Sequence, residues 1–131
     1  MSRPRPLIAV VDDDESVCRA LKRLVRTFGM DAETFASGQT FIDAITACPS
    51  YGVDCVVLDW QMPGMSGLQV QERLAGLSRR LPVVFITAHD EGGARERALE
   101  AGAAAFMRKP FSDELFIDTL RAAMRGAPGA S

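Results

Sequence analysis

Five short apolar runs, each about the length of one strand and each followed by a segment of helical period, constrain this chain more than any other feature. The first run, Leu7–Val11, is continuously aliphatic. A continuous run suits a strand buried on both faces, because a strand with one wet face alternates apolar and polar residues. Residues 53–58, apart from Asp54, and residues 82–87 read the same way, while 30–35 and 104–107 read as shorter strands. Between them, residues 15–28 place Val17, Leu21, Leu24, Val25 and Phe28 on one helical face, with Lys22, Arg23 and Arg26 elsewhere and Gly29 as the stop. Ser37 is positioned to cap a second helix that runs to about Cys48, with Phe41, Ile42 and Ile45 inward. A third helix follows the Pro/Gly loop 60–67 and runs to about Leu77. A fourth spans 91–102. A fifth spans 112–125, with Leu115, Phe116, Thr119, Leu120 and Ala123 inward.

This alternation predicts an α/β domain of (βα)5 type, a doubly wound five-stranded parallel sheet with right-handed crossovers covering both faces. The common strand order is 2-1-3-4-5. Ligands then bind at the switch between the first and third strands, beyond their carboxyl ends. The chain's 131 residues fit one such domain, residues 1–125, with 126–131 as a flexible tail or the start of a linker. A net charge of -2 gives no electrostatic case for nucleic-acid binding. The longest apolar runs are strand-sized, so none predicts a membrane span, and residues 1–6 lack a following signal-peptide stretch. Cys18, Cys48 and Cys55 form no CxxC pair and read as small apolar thiols of a cytoplasmic protein.

The polar residues that interrupt the pattern gather at the expected switch point. Strand one ends in Asp12, Asp13 and Asp14, and strand three in Asp59. Strand four ends in Thr87, and Lys109-Pro110 follows strand five. Carboxylates converging at one sheet edge repel, by roughly 3 kcal/mol for two unit charges ~5 Å apart at an effective dielectric near 20. A divalent cation removes that repulsion. An all-oxygen site with few protein ligands suits Mg2+, so Asp12, Asp13 and Asp59 read as a Mg2+ site open to solvent. An aspartate after a strand also caps the next helix, a role that fits Asp14 or Glu15. Metal, the Lys109 ammonium and the Thr87 hydroxyl together form a cradle for three phosphoryl oxygens, with Asp59 as acceptor. Pro110 invites a turn that aims Lys109 inward, and an X-Pro bond there tolerates the cis form.

The motifs VVDDDE (10–15), VVLDWQMPGMSG (56–67), VVFITAH (83–89) and AAAFMRKPF (103–111) span nearly the whole chain in order. In these the chain resembles the receiver domain of two-component response regulators, whose fold is flavodoxin-like. The resemblance implies phosphotransfer from a sensor histidine kinase or phosphotransfer protein to Asp59. It implies Mg2+ ligation by Asp12, Asp13, Asp59 and the main-chain carbonyl of Gln61, and phosphoryl contacts from Thr87 and Lys109. It makes Thr87 and Phe106 the switch pair: Thr87 moves inward and Phe106 rotates from exposed to buried. The face of the fourth helix, fifth strand and fifth helix then changes shape and docks a partner or a second copy. Many relatives carry Tyr at the switch position, and Phe106 lacks that hydroxyl. A receiver of this kind is a phosphoacceptor, not an enzyme, and is not expected to bind nucleic acid or membrane itself.

Two other readings compete. A haloacid-dehalogenase-type phosphatase also uses an aspartyl phosphate, but it places a second Asp two residues after the nucleophile on its first strand. Here Gln61 occupies that spacing after Asp59, on the third strand; Asp12 and Asp14 do form the spacing, but no substrate-cap insertion is present. A phosphate-independent interaction module would show a degraded acceptor site, whereas here the acceptor positions are intact. Near the site, Trp60 is the only tryptophan, and Gln61 and His89 each lie two residues past a site residue. The loop 62–67 uses Pro63, Gly64 and Gly67 for sharp turns, and Met62 and Met65 suit either packing or partner contact. The fourth helix is expected to begin at Glu91-Gly92-Gly93. Its first turn should fray, since each glycine lowers helix stability by roughly 1 kcal/mol relative to alanine.

Overall fold

The computed structural model describes residues 5–48, 50–77, 80–89 and 92–126. In chain order the elements are β1 (Leu7–Val11), α1 (Glu15–Thr27), β2 (Asp31–Phe35), α2 (Gly38–Ala47), β3 (Cys55–Asp59), α3 (Gly67–Ala75), β4 (Val83–Thr87), α4 (Ala94–Glu100), β5 (Ala105–Arg108) and α5 (Asp113–Met124). All strand pairs are parallel and the order is β2-β1-β3-β4-β5.

Strand periodicity builds the core in two layers. Ala9, Val11, Val56, Leu58, Val83 and Phe85 point to the face covered by Phe41, Ile42 and Ile45 of α2, Val70 and Leu74 of α3, and Ala94 and Ala98 of α4. Their neighbours Ile8, Val10, Cys55, Val57, Val84 and Ile86 point to the opposite face, under Cys18, Leu21 and Val25 of α1 and Phe116, Ile117 and Leu120 of α5. Both faces are dry, which is why β1, β3 and β4 read as unbroken apolar runs. Among the described residues no helix is long and apolar enough to cross a membrane.

Local chemistry sets most boundaries. Asp14 caps α1, its carboxylate accepting from the Ser16 and Val17 amides at 2.9 and 3.4 Å. Ser37 caps α2 through the Thr40 amide. Ser66 and Gln69 form a reciprocal capping box on α3. Strand β3 starts at Cys55 rather than at residue 53, because the Asp54 carboxylate turns back to accept the Leu7 amide at 2.8 Å.

Three expectations are corrected. Helix α4 begins at Ala94, not at 91: Gly92 is in a turn, and Gly93 is the N-cap with φ +83°, a left-handed conformation outside the helix. The glycines therefore precede the helix and do not weaken its first turn. Leu115 faces solvent at 55% exposure, because at about 100° per residue it lies off the stripe of Phe116, Ile117, Leu120 and Ala123 that α5 buries. Cys48 is exposed at the end of α2, so only Cys18 and Cys55 act as buried apolar thiols. The proposed tail lies, from residue 127 onward, outside the described residues.

Candidate functional site

The register brings the acids together. Val11 pairs with Leu58, so Asp12 and Asp59 leave adjacent strands at the same sheet edge. Asp12 is 1% exposed, Asp59 is 8% exposed and Asp13 is exposed. One carboxylate oxygen from each lies within 4.8 Å of the others. Asp12 is held on both oxygens: Oδ1 accepts the Asp14 amide at 2.9 Å, and Oδ2 faces Lys109 Nζ at 3.5 Å. Asp59 Oδ1 accepts the Gln61 amide at 3.3 Å.

Three carboxylates around one ammonium leave excess negative charge, and two of the three, Asp12 and Asp59, are buried. Burial, reinforced by the Asp12 charge, pushes the Asp59 carboxyl from its ordinary 3.8 up to about 6, against the opposing pull of Lys109 and the Gln61 amide. A compact all-carboxylate donor set of this kind fits a hard divalent cation, which prefers oxygen ligands.

Thr87 and Lys109 close the other side of the sheet edge. Thr87 is 1% exposed and pairs in register with Arg108, and its carbonyl accepts the Lys109 amide at 2.8 Å. The Thr87 hydroxyl is engaged in a local turn, donating to the His89 carbonyl at 2.7 Å and accepting the His89 amide at 3.1 Å. His89 itself is exposed. The Lys109-Pro110 bond is cis.

The loop after Asp59 is tied tightly to the site. A Cβ on Gly67 would sit 2.4 Å from the Asp59 carbonyl oxygen and 2.9 Å from the Phe85 ring, so only glycine lets α3 start this close to the Asp59 backbone. The Gly67 amide donates to the Trp60 carbonyl at 3.2 Å. Met62 is buried and Met65 half-buried against the core, so both serve in packing.

Beside Asp59 lies an aromatic group that the sequence did not reveal as a unit. Trp60 and Phe106 are 6% and 4% exposed. Trp60 meets Phe85 edge-on at 5.0 Å between centroids and Phe106 at 5.6 Å. Two α4 arginines lie over these rings, Arg95 at 5.6 Å from the Phe106 centroid and Arg97 at 5.6 Å from that of Trp60. Charged residues on a short helix read as solvated, and nothing local in the sequence marked these two.

Comparison with known proteins agrees with the fold. The family profile of the response regulator receiver domain matches residues 8–121. The chain is 38% identical over 130 residues to the response regulator protein TodT of Pseudomonas putida, covering 98% of this chain and 55% of that protein. It is 31% identical over 124 residues to the transcriptional regulatory protein FixJ of Bradyrhizobium diazoefficiens, covering 95% of this chain and 59% of that one. The chain thus spans a little over half the length of these curated relatives. Among solved structures, a response regulator receiver protein from Burkholderia phymatum is similar at a TM-score of 0.83 and 55% identity, over 92% of this chain and 96% of that one. FixJ-N is similar at 0.84 and 28%, over 98% of each. With this fold, the acid cluster at its switch point and a family match over nearly its whole length, the chain belongs to the receiver domains of two-component response regulators.

Proposed function

We propose that the chain accepts a phosphoryl group on Asp59 from a sensor histidine kinase or phosphotransfer protein in the cytoplasm, and signals through the α4-β5-α5 face. The observation that carries this reading is the meeting of three carboxylates within 4.8 Å, with Lys109 opposite and Asp59 on the central strand β3. Asp12, Asp13 and Asp59, with the Gln61 main-chain carbonyl, would hold Mg2+. When bound there, the ion supplies positive charge to the phosphoryl oxygens.

An Asp59 carboxylate oxygen attacks the phosphorus of a phosphohistidine. The new O–P bond forms as the N–P bond breaks, and the electron pair stays on the departing imidazole. Lys109 neutralises charge on one equatorial oxygen. Thr87 donates its hydroxyl proton to another, which requires it to release the His89 carbonyl it now holds. Gln61 and His89, both exposed beside the site, rim the path of a hydrolytic water. The domain assists its own phosphorylation and dephosphorylation but turns over no separate substrate. Exposed Leu99 on α4 and Leu115 on α5, at 44% and 55%, supply apolar surface for a partner or a second copy. The domain itself contacts neither nucleic acid nor membrane. Gln61, not an aspartate, lies two residues after Asp59, so the site does not favour the phosphatase reading.

Incubation with acetyl phosphate tests this. The intact mass should rise by one phosphoryl group with Mg2+ present and stay unchanged with EDTA. Equal modification under both conditions would remove the metal from the mechanism.

A further inference from the structure

Helix α4 is held to the domain in an unusual way. It has seven residues, and its N-cap Gly93 offers no side chain to cap it. The α4 side chains that enter the core are two alanines, Ala94 and Ala98, one turn apart. Alanines fill no deep hole, so the apolar contact of α4 permits sliding where a leucine would interlock. Its one large aliphatic residue, Leu99, points outward at 44% exposure.

The arginines flank that alanine line on either side. Arg95 follows Ala94 and Arg97 precedes Ala98, which places the two on opposite flanks of the helix. One guanidinium lies over Phe106 and the other over Trp60, so α4 straddles the aromatic pair. Among the described residues neither arginine has an ion-pair partner, and each guanidinium lies on an aromatic ring. A cation over the face of a tryptophan is the strongest arrangement of this type.

Trp60 is also tied closely to Asp59 and its surroundings. It follows Asp59 directly, its amide donates to the Ile86 carbonyl one residue before Thr87, and its carbonyl accepts from Gly67 of α3. Its ring touches Phe85 of β4 and Phe106 of β5. A change at Asp59 or Thr87 that tilts this ring therefore reaches α4 through Arg97, with no need for a hydroxyl on Phe106.

We infer that Arg97 on Trp60, seconded by Arg95 on Phe106, is a cation–π latch that positions α4 and couples its placement to the acceptor site. The latch rests on the phosphoacceptor reading for its input, but its mechanical part stands without it. Arg97 is a positioning residue: it acts on α4 through Trp60 and does not touch the phosphoryl group.

The test compares wild type, Arg97→Met, which keeps an apolar stem without charge, and Arg97→Lys, which restores a cation. Amide exchange over residues 92–103 and Trp60 emission are read with and without Mg2+ and beryllofluoride, a phosphoryl mimic. Phosphoryl acceptance from acetyl phosphate is measured in parallel. Acceptance in Arg97→Met should remain within about twofold of wild type. Without beryllofluoride, α4 should exchange at least about fivefold faster in Arg97→Met. The beryllofluoride-induced change in α4 exchange should fall by at least half, and the Trp60 emission maximum should shift. Arg97→Lys should recover most of each effect. Wild-type exchange and response in Arg97→Met, or a loss that Arg97→Lys fails to recover, would overturn the latch. Absence of acceptance in the wild type would instead overturn the phosphoacceptor reading, and the exchange comparison without beryllofluoride would still decide the mechanical part.

Discussion

Replacing the acceptor by its neutral isostere should make the metal-free protein more stable. Asp59 is 8% exposed, and its pKa rises from 3.8 to about 6 on folding, chiefly through burial and then through Asp12. An acid with a raised pKa holds its proton to higher pH in the folded protein than in the unfolded chain. Between pH ~4 and ~6 folding takes up that proton, so stability falls as pH rises across the window, and the full penalty stands above ~6. At ~1.4 kcal/mol per pH unit between the two values the penalty reaches about 3 kcal/mol, and solvent relaxation around the site brings the expected range to roughly 1–3 kcal/mol. Asp59→Asn removes the charge while keeping an oxygen for the Gln61 amide. In EDTA at pH 7 the variant should gain that amount by urea unfolding, or about 3 °C in Tm per kcal/mol. At pH 4 the gain should nearly vanish. An Asn variant no more stable than wild type at pH 7, or equally stabilised at both pH values, would refute the electrostatic account of the cluster.

Three further outcomes follow from the same geometry. Gly93→Ala should destabilise by about 1 kcal/mol because the site holds φ +83°, whereas Gly92→Ala should change stability by less than ~0.5 kcal/mol, both read by chemical unfolding. His89→Ala should alter the decay rate of the phosphorylated protein severalfold while leaving acceptance intact; equal decay rates would remove His89 from the water path. Mg2+ should change the fluorescence of Trp60, adjacent to the acceptor and 6% exposed, and Asp13→Ala should weaken that response strongly. An unchanged titration in the variant would count against Asp13 as a ligand.

Much of this was legible in the sequence because the site breaks the pattern that builds the fold. A carboxylate after a continuous apolar run, as at Asp12 and Asp59, stands out, and the strand order then forces the two onto one edge. Ser37 and Gly29 marked helix ends through local chemistry that needs no tertiary context. What stayed hidden was non-local or depended on backbone conformation. Gly92-Gly93 sits against a helical pattern, and only the left-handed φ of Gly93 shows that the helix starts after it. Leu115 sits one position out of phase with the stripe that α5 buries, and only packing against the sheet shows which side that is. Gly67 read as a turn residue, yet its role is to let a helix approach the Asp59 carbonyl. Nothing in the sequence singled out Arg95 and Arg97, because the rings they cover come from the residue after β3 and from β5.

The account turns on one bond, between an Asp59 carboxylate oxygen and phosphorus. Borohydride reduces an aspartyl phosphate to homoserine, so reductive trapping after incubation with acetyl phosphate and Mg2+, followed by peptide mass spectrometry, reads that bond by position. Homoserine should appear at position 59 alone, and nowhere in Asp59→Asn. Homoserine at Asp12 or Asp13, or a stable phosphate elsewhere with none at Asp59, would contradict the assignment of Asp59 as the acceptor.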